Sequence, residues 1–198
     1  MNTKVTEFLN GLKGKKVAFV GMGVANMPCA KWLASKGVEV YACDKRDKEY
    51  IGQKDCEELE GLGVHFSLGE DYLSVLPEMD MVFRSHGILP FQNPWIGECI
   101  ARGQKVTTEM EVFFSLCPAE IIAVTGSNGK TTTTTLISEM LKAEGRKVYL
   151  GGNIGKALMP ELESISENDI AVVELSSFQL LTRGNLVNKP DIAVVTNI

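Results

Sequence analysis

Short apolar runs separated by glycine turns recur along the chain. VAFVG from Val17 is followed by the turn GMGVANMP, a stretch with helical spacing, CAKWLASKG, and a second apolar run, VEVYACD. Runs this continuous predict strands covered on both faces, and their alternation with a helix predicts a β-α-β unit on a parallel sheet. The rhythm repeats more loosely through GVHFSLG, MDMVFRS running up to His86, a helix around Pro94 to Gly103, and KVTTEMEVFF. Cys117-Pro118 interrupts it. A fresh unit then begins: strand EIIAVTG, a glycine loop, helix TTTTTLISEMLKAEG, and strands KVYLGGN and DIAVVELSS. The domain boundary is expected near Pro118. A last apolar run, DIAVVTNI, reaches the final residue. A buried parallel strand needs a following loop and helix to cover it, so the second domain is expected to be incomplete.

Composition narrows the picture. The chain has 198 residues, 44% hydrophobic and 23% charged, which fits a globular protein of one large domain or two small ones. Neither an uncharged apolar run of about 18 residues nor a signal-peptide centre is present, so the expected address is the cytoplasm, without membrane insertion. A net charge of −5 argues against coating nucleic acid, which requires neutralising many phosphates. Any phosphate is bound locally. Five cysteines (Cys29, Cys43, Cys56, Cys99, Cys117) lack a C-x-x-C pair and have only His65 and His86 to join them. They read as reduced structural thiols.

Two glycine clusters carry candidate chemistry. In the first, Gly21 to Asn26 reads GMGVAN between a strand and a helix, with Asp44 closing the next strand, the layout of a dinucleotide fingerprint. Its third position is Asn26 instead of Gly or Ala, which argues against NAD. The helix N-terminus still suits a phosphate of some other ligand, and a tight turn with nothing bound is the plain alternative. In the second, Val124 stands where the first glycine of G-x-x-x-x-G-K-[ST] belongs. Gly126 and Gly129 nevertheless allow a tight turn, Lys130 adds a charge and Thr131 a hydroxyl, as a mononucleotide loop with Mg²⁺ requires. An ordinary Ser/Asn/Thr-rich helix cap would look similar. Glu174, closing the strand IAVVE, and Asn153, in the GGNIG turn, are expected on the same sheet edge, with Glu174 sharing the metal with Thr131.

With TGSNGKTT, GGNIG and VVELSSFQL, the sequence resembles the Mur ligases, ATP-dependent amide-forming enzymes of peptidoglycan precursor assembly, and ELSSFQL resembles the D-glutamate-adding members. VAFVGMGVAN, CDKRD, SHGI, Asn93-Pro94 and TEMEVF extend the likeness over nearly the whole chain. The resemblance implies an α/β fold: a Rossmann-like parallel-sheet domain, residues 1–117, holding UDP, then a truncated P-loop-type central domain, residues 118–198, binding ATP, with a C-terminal domain absent. It implies that Gly126, Ser127, Asn128, Gly129, Lys130, Thr131 and Thr132 hold the ATP phosphates, Lys130 at the β/γ end, while Thr131 and Glu174 ligate magnesium; Lys130 and Glu174 are the catalytic pair. Asn153, Ser176 and Gln179 would face the muramoyl-alanine part of the substrate. Val24, Ala25, Asp44, Lys45, Arg46 and Gly87 would hold UDP. The chain departs from the family pattern at His86, usually proline, and at Ala25 and Lys45, often hydroxyl residues.

The implied reaction joins D-glutamate to UDP-N-acetylmuramoyl-L-alanine through an acyl phosphate, by a monomer, and the fragment alone is expected not to turn over. Phosphoryl transfer of this kind rests on positioning and charge neutralisation. Two alternatives stay open: a ligase of the same family with another substrate, as in folylpolyglutamate synthases, and a non-catalytic module binding a nucleotide sugar.

Overall fold

The computed structural model describes residues 2–181 and 189–198. It divides into two compact units, Thr6–Glu109 and a second formed by Met1–Val5 with Met110–Ile198. The division thus falls between Glu109 and Met110, ahead of Pro118, and the first few residues join the second unit.

In the first unit, β1 (Lys16–Val20), β2 (Glu39–Asp44), β3 (His65–Leu68), β4 (Met81–Arg84) and β5 (Lys105–Thr107) form one sheet in the order β3-β2-β1-β4-β5. Every pairing is parallel. Helices α1 (Thr3–Gly11), α2 (Asn26–Ser35), α3 (Lys48–Ile51), α4 (Gln53–Gly61) and α5 (Pro94–Ala101) lie between strands or before them. The central strands are buried along their length because helices cover the sheet; Phe19 and Phe83 stack across β1 and β4 with ring centroids 4.6 Å apart. KVTTEMEVFF is two elements, β5 and the helix α6 (Glu109–Leu116), joined at Thr108.

In the second unit, β6 (Glu120–Thr125), β7 (Val148–Gly152), β8 (Ile170–Glu174) and β9 (Ile192–Val195) form a second parallel sheet in the order β7-β8-β6-β9. Helix α7 (Lys130–Ala143) covers one face, burying Thr134 and Ser138, and a short helix α8 (Ser177–Leu181) follows β8. The crossovers bring the ends of β6, β7, β8 and β9 to one carboxyl edge, where the loops after parallel strands form ligand crevices.

Candidate functional site

The loop between β6 and α7 is short and closely held. Gly126 and Gly129 have φ of 136° and 79°, in the region where a side chain is strained. The Lys130 ammonium folds back to donate to Gly126 O at 2.8 Å and Ser127 O at 3.0 Å. The N–H groups of Ser127 and Asn128 donate to Asn197, to its backbone oxygen at 3.1 Å and its Oδ1 at 2.8 Å respectively. Those two N–H groups point away from the loop's mouth. The N–H groups of Gly129, Lys130, Thr131 and Thr132 have no partner among the described residues, the usual state of the first turn of a helix. Four open N–H groups at the positive end of a helix of about four turns, with an ammonium beside them, have the chemistry to hold an anion.

Next to this mouth the Thr131 hydroxyl donates to Glu174 Oε2 at 2.7 Å, and Asn153 Nδ2 donates to Glu174 Oε1 at 3.0 Å. The Asn153 N–H also donates to Glu174 O at 2.9 Å. β7 and β8 can approach this closely at their ends because Gly152, at φ 101°, has no side chain; a Cβ there would overlap Glu174 O. Glu174 is buried at 1% exposure, so its position is fixed by these partners. The structure therefore brings Thr131, Asn153 and Glu174 to one point, with Lys130 on the adjoining loop. Ser176 and Gln179 instead bond each other: Ser176 N–H to Gln179 Oε1 at 2.7 Å and Gln179 N–H to Ser176 Oγ at 3.3 Å. That is a reciprocal cap on α8.

In the first unit the glycine turn after β1 lies beside the ends of β2 and β4. Asn26, buried, donates its amide to Val20 O at 3.2 Å and Gly21 O at 2.9 Å, tying α2 to the turn in place of a small third residue. Asp44 accepts from Met22 N–H at 2.7 Å and from Arg46 through its N–H and guanidinium, at 2.9 Å each. Burial alone would raise the Asp44 carboxyl, but Arg46 and the two N–H donors hold it below the usual carboxylate range. Both oxygens are engaged, so Asp44 builds the turn and orients Arg46. A cavity of about 510 Å³ opens beside it, lined by Val24, Met27, Lys31, Arg46, Tyr50 and neighbours. Val24 is 90% exposed and the Arg46 guanidinium lies over the Tyr50 ring at 5.2 Å. Ala25 starts α2, Lys45 is exposed, and Gly87 lies on the neighbouring turn, whose Ser85 would meet a Cβ at Gly21. His86, half-buried on that turn, is held down to about 4 by burial and by Arg84.

The model of the "Mur ligase MurD-like, N-terminal domain" matches residues 15–108, and that of the "Mur ligase middle domain" matches residues 124–198. The chain belongs to the Mur ligase family. Among curated relatives, it is 49% identical over its whole length to "UDP-N-acetylmuramoylalanine--D-glutamate ligase" of Ruminiclostridium cellulolyticum and 47% identical to the protein of that name from Acetivibrio thermocellus. It spans 42% and 41% of their lengths. Two solved Mur ligases share the fold: UDP-N-acetylmuramate:L-alanyl-gamma-D-glutamyl-meso-diaminopimelate ligase from Neisseria meningitides, at TM-score 0.57, 18% identity and coverage of 92% of this chain and 60% of that one; and UDP-N-acetylmuramate-alanine ligase from Thermotoga maritima, at 0.54, 21%, 92% and 41%.

Sequence reasoning passed over Thr196 and Asn197, which bind the phosphate-type loop of this Mur ligase chain from the end of β9. Their signal was a polar pair closing an apolar strand, the same signal that singled out Glu174.

Proposed function

We propose that the chain is the nucleotide-binding and UDP-substrate-binding portion of an ATP-dependent ligase that adds D-glutamate to UDP-N-acetylmuramoyl-L-alanine in peptidoglycan precursor synthesis. The observation that carries this reading is the 2.7 Å contact between Thr131 and Glu174 beside the Lys130 loop. A hydroxyl and a carboxylate converging on one spot are hard oxygen donors that fit Mg²⁺, which is typically held by one or two carboxylates plus phosphate oxygens. No cluster of three or more His, Cys, Asp or Glu exists among the described residues, so an all-protein metal cage is not the site's design. When bound, the ion would neutralise charge on the β- and γ-phosphates.

The chain's own residues supply the rest. The N–H groups of Gly129 to Thr132 bind phosphate oxygens, and the Lys130 ammonium, held by two loop carbonyls, turns its third donor to the β/γ end. Asn153 keeps the Glu174 carboxylate turned toward Thr131. The substrate carboxylate then attacks the γ-phosphoryl, ADP leaves, and the amine of D-glutamate displaces phosphate from the acyl phosphate. Such a transfer needs in-line placement and charge neutralisation, not a nucleophilic side chain. The five buried thiols take no part. In the first unit, the Arg46 and Tyr50 cavity beside the glycine turn suits the UDP moiety.

Calorimetric titration with Mg-ATP and with UDP-N-acetylmuramoyl-L-alanine tests the reading. Binding of both is expected, with Mg-ATP binding abolished by Glu174→Ala. Binding of the UDP-sugar alone supports a non-catalytic module instead. A phosphate-release assay with all substrates is expected to show no turnover by this chain, which spans less than half the length of its curated relatives.

A further inference from the structure

The loop that faces the proposed nucleotide is shaped from outside by two residues at the end of β9. Thr196 Oγ1 donates to Asn128 O at 2.6 Å and lies 3.2 Å from Thr125 O, while its N–H donates to Thr125 O at 2.9 Å. Asn197 accepts the N–H groups of Ser127 and Asn128. Gly126 is the seat of this contact: a Cβ there would overlap the Thr196 hydroxyl and lie 2.8 Å from Asn197 O. The glycine is thus required by the strand end that rests on it.

The two sides of the loop are linked by peptide geometry. In a trans peptide the C=O and the following N–H point in opposite directions. The peptide joining Gly126 and Ser127 gives its N–H to Asn197 and its C=O to Lys130; the peptide joining Ser127 and Asn128 does the same. Turning either plane to release Asn197 would swing a carbonyl away from the ammonium. We propose that Asn197, with Thr196, is a positioning residue that holds the Lys130 ammonium at the phosphate mouth by fixing these two peptide planes. It takes over the job of the absent first glycine turn at Val124, keeping a short loop rigid with an external brace. The inference rests on the nucleotide reading above.

The test uses Asn197→Ala, which removes the Oδ1 acceptor, and the pair Thr196→Val and Thr196→Ser, of which only the second keeps the hydroxyl. Amide exchange of Asn128, measured without nucleotide, is expected to quicken about tenfold in Asn197→Ala, as loss of one such hydrogen bond implies. Mg-ATP affinity is expected to fall about tenfold in Asn197→Ala and Thr196→Val and to return in Thr196→Ser. A circular dichroism spectrum and thermal midpoint at the wild-type values show that each variant is folded. Unchanged Asn128 exchange, or unchanged Mg-ATP affinity in Asn197→Ala, overturns the inference alone. A wild-type chain with no affinity for Mg-ATP overturns the nucleotide reading itself.

Discussion

Glu174 has both carboxylate oxygens committed, one to Thr131 and one to Asn153. The position of this acid at the end of a strand was legible in the sequence, because a charged residue closes the apolar run IAVVE, although such a residue is often simply solvated. What was not legible was the role of Asn153, which resemblance places against the substrate. Asn153 makes two hydrogen bonds to Glu174, one to a carboxylate oxygen and one to the backbone oxygen, and the first aims the carboxylate. Outer partners of metal-binding groups typically contribute 10–100-fold to metal affinity. Asn153→Ala is therefore expected to weaken ATP binding about tenfold in the presence of Mg²⁺ and to leave the magnesium-free affinity unchanged. Titrations at several Mg²⁺ concentrations separate the cases, since an equal loss with and without the ion would mean direct contact with the nucleotide.

Among elements, the parallel strands were the most readable because burial on both faces writes a continuous apolar run; β1, β4 and β8 are buried nearly throughout. Helices α3 and α4 were hidden. Across residues 48–61 only Cys56 and Leu59 are buried, too narrow a stripe to stand out among acids and lysines. KVTTEMEVFF looks like one run, yet it is a strand and a helix joined at Thr108, and the division between the units falls just after that joint. Gln179 has a structural role besides the one the resemblance implies. Its side chain caps α8 jointly with Ser176, a spacing the letters S-x-x-Q already contain. Loss of such a cap costs about 1 kcal/mol. Gln179→Ala is expected to lower stability in chemical denaturation by that amount, whereas Gln179→Glu, which keeps the acceptor, holds it. Gly152→Ala should cost more, because φ of 101° and Glu174 O both stand against a Cβ.

At the level of the whole molecule, one buried group ties stability to pH. Glu109 is 1% exposed, and neither carboxyl oxygen has a hydrogen-bond partner among the described residues. Burial pushes its carboxyl from 4.5 up to about 8, and the same charge, added to burial, helps raise the nearby Cys29 thiol. Between those two values the folded chain keeps a proton that the unfolded chain has released. Stability therefore falls as pH rises: the contribution is whole below 4.5 and is lost as pH passes through about 8. The limiting slope is about 1.4 kcal/mol per pH unit, large against a folding free energy of roughly 5–15 kcal/mol. Glu109→Gln keeps the shape and cannot ionise. Thermal unfolding followed from pH 5.5 to 8.5 is expected to show a falling midpoint for the wild type and a flatter profile for the variant, with the two curves diverging most at the alkaline end. Parallel curves would show that the carboxyl at 109 releases its proton equally in both states, and that the first unit has room to solvate it.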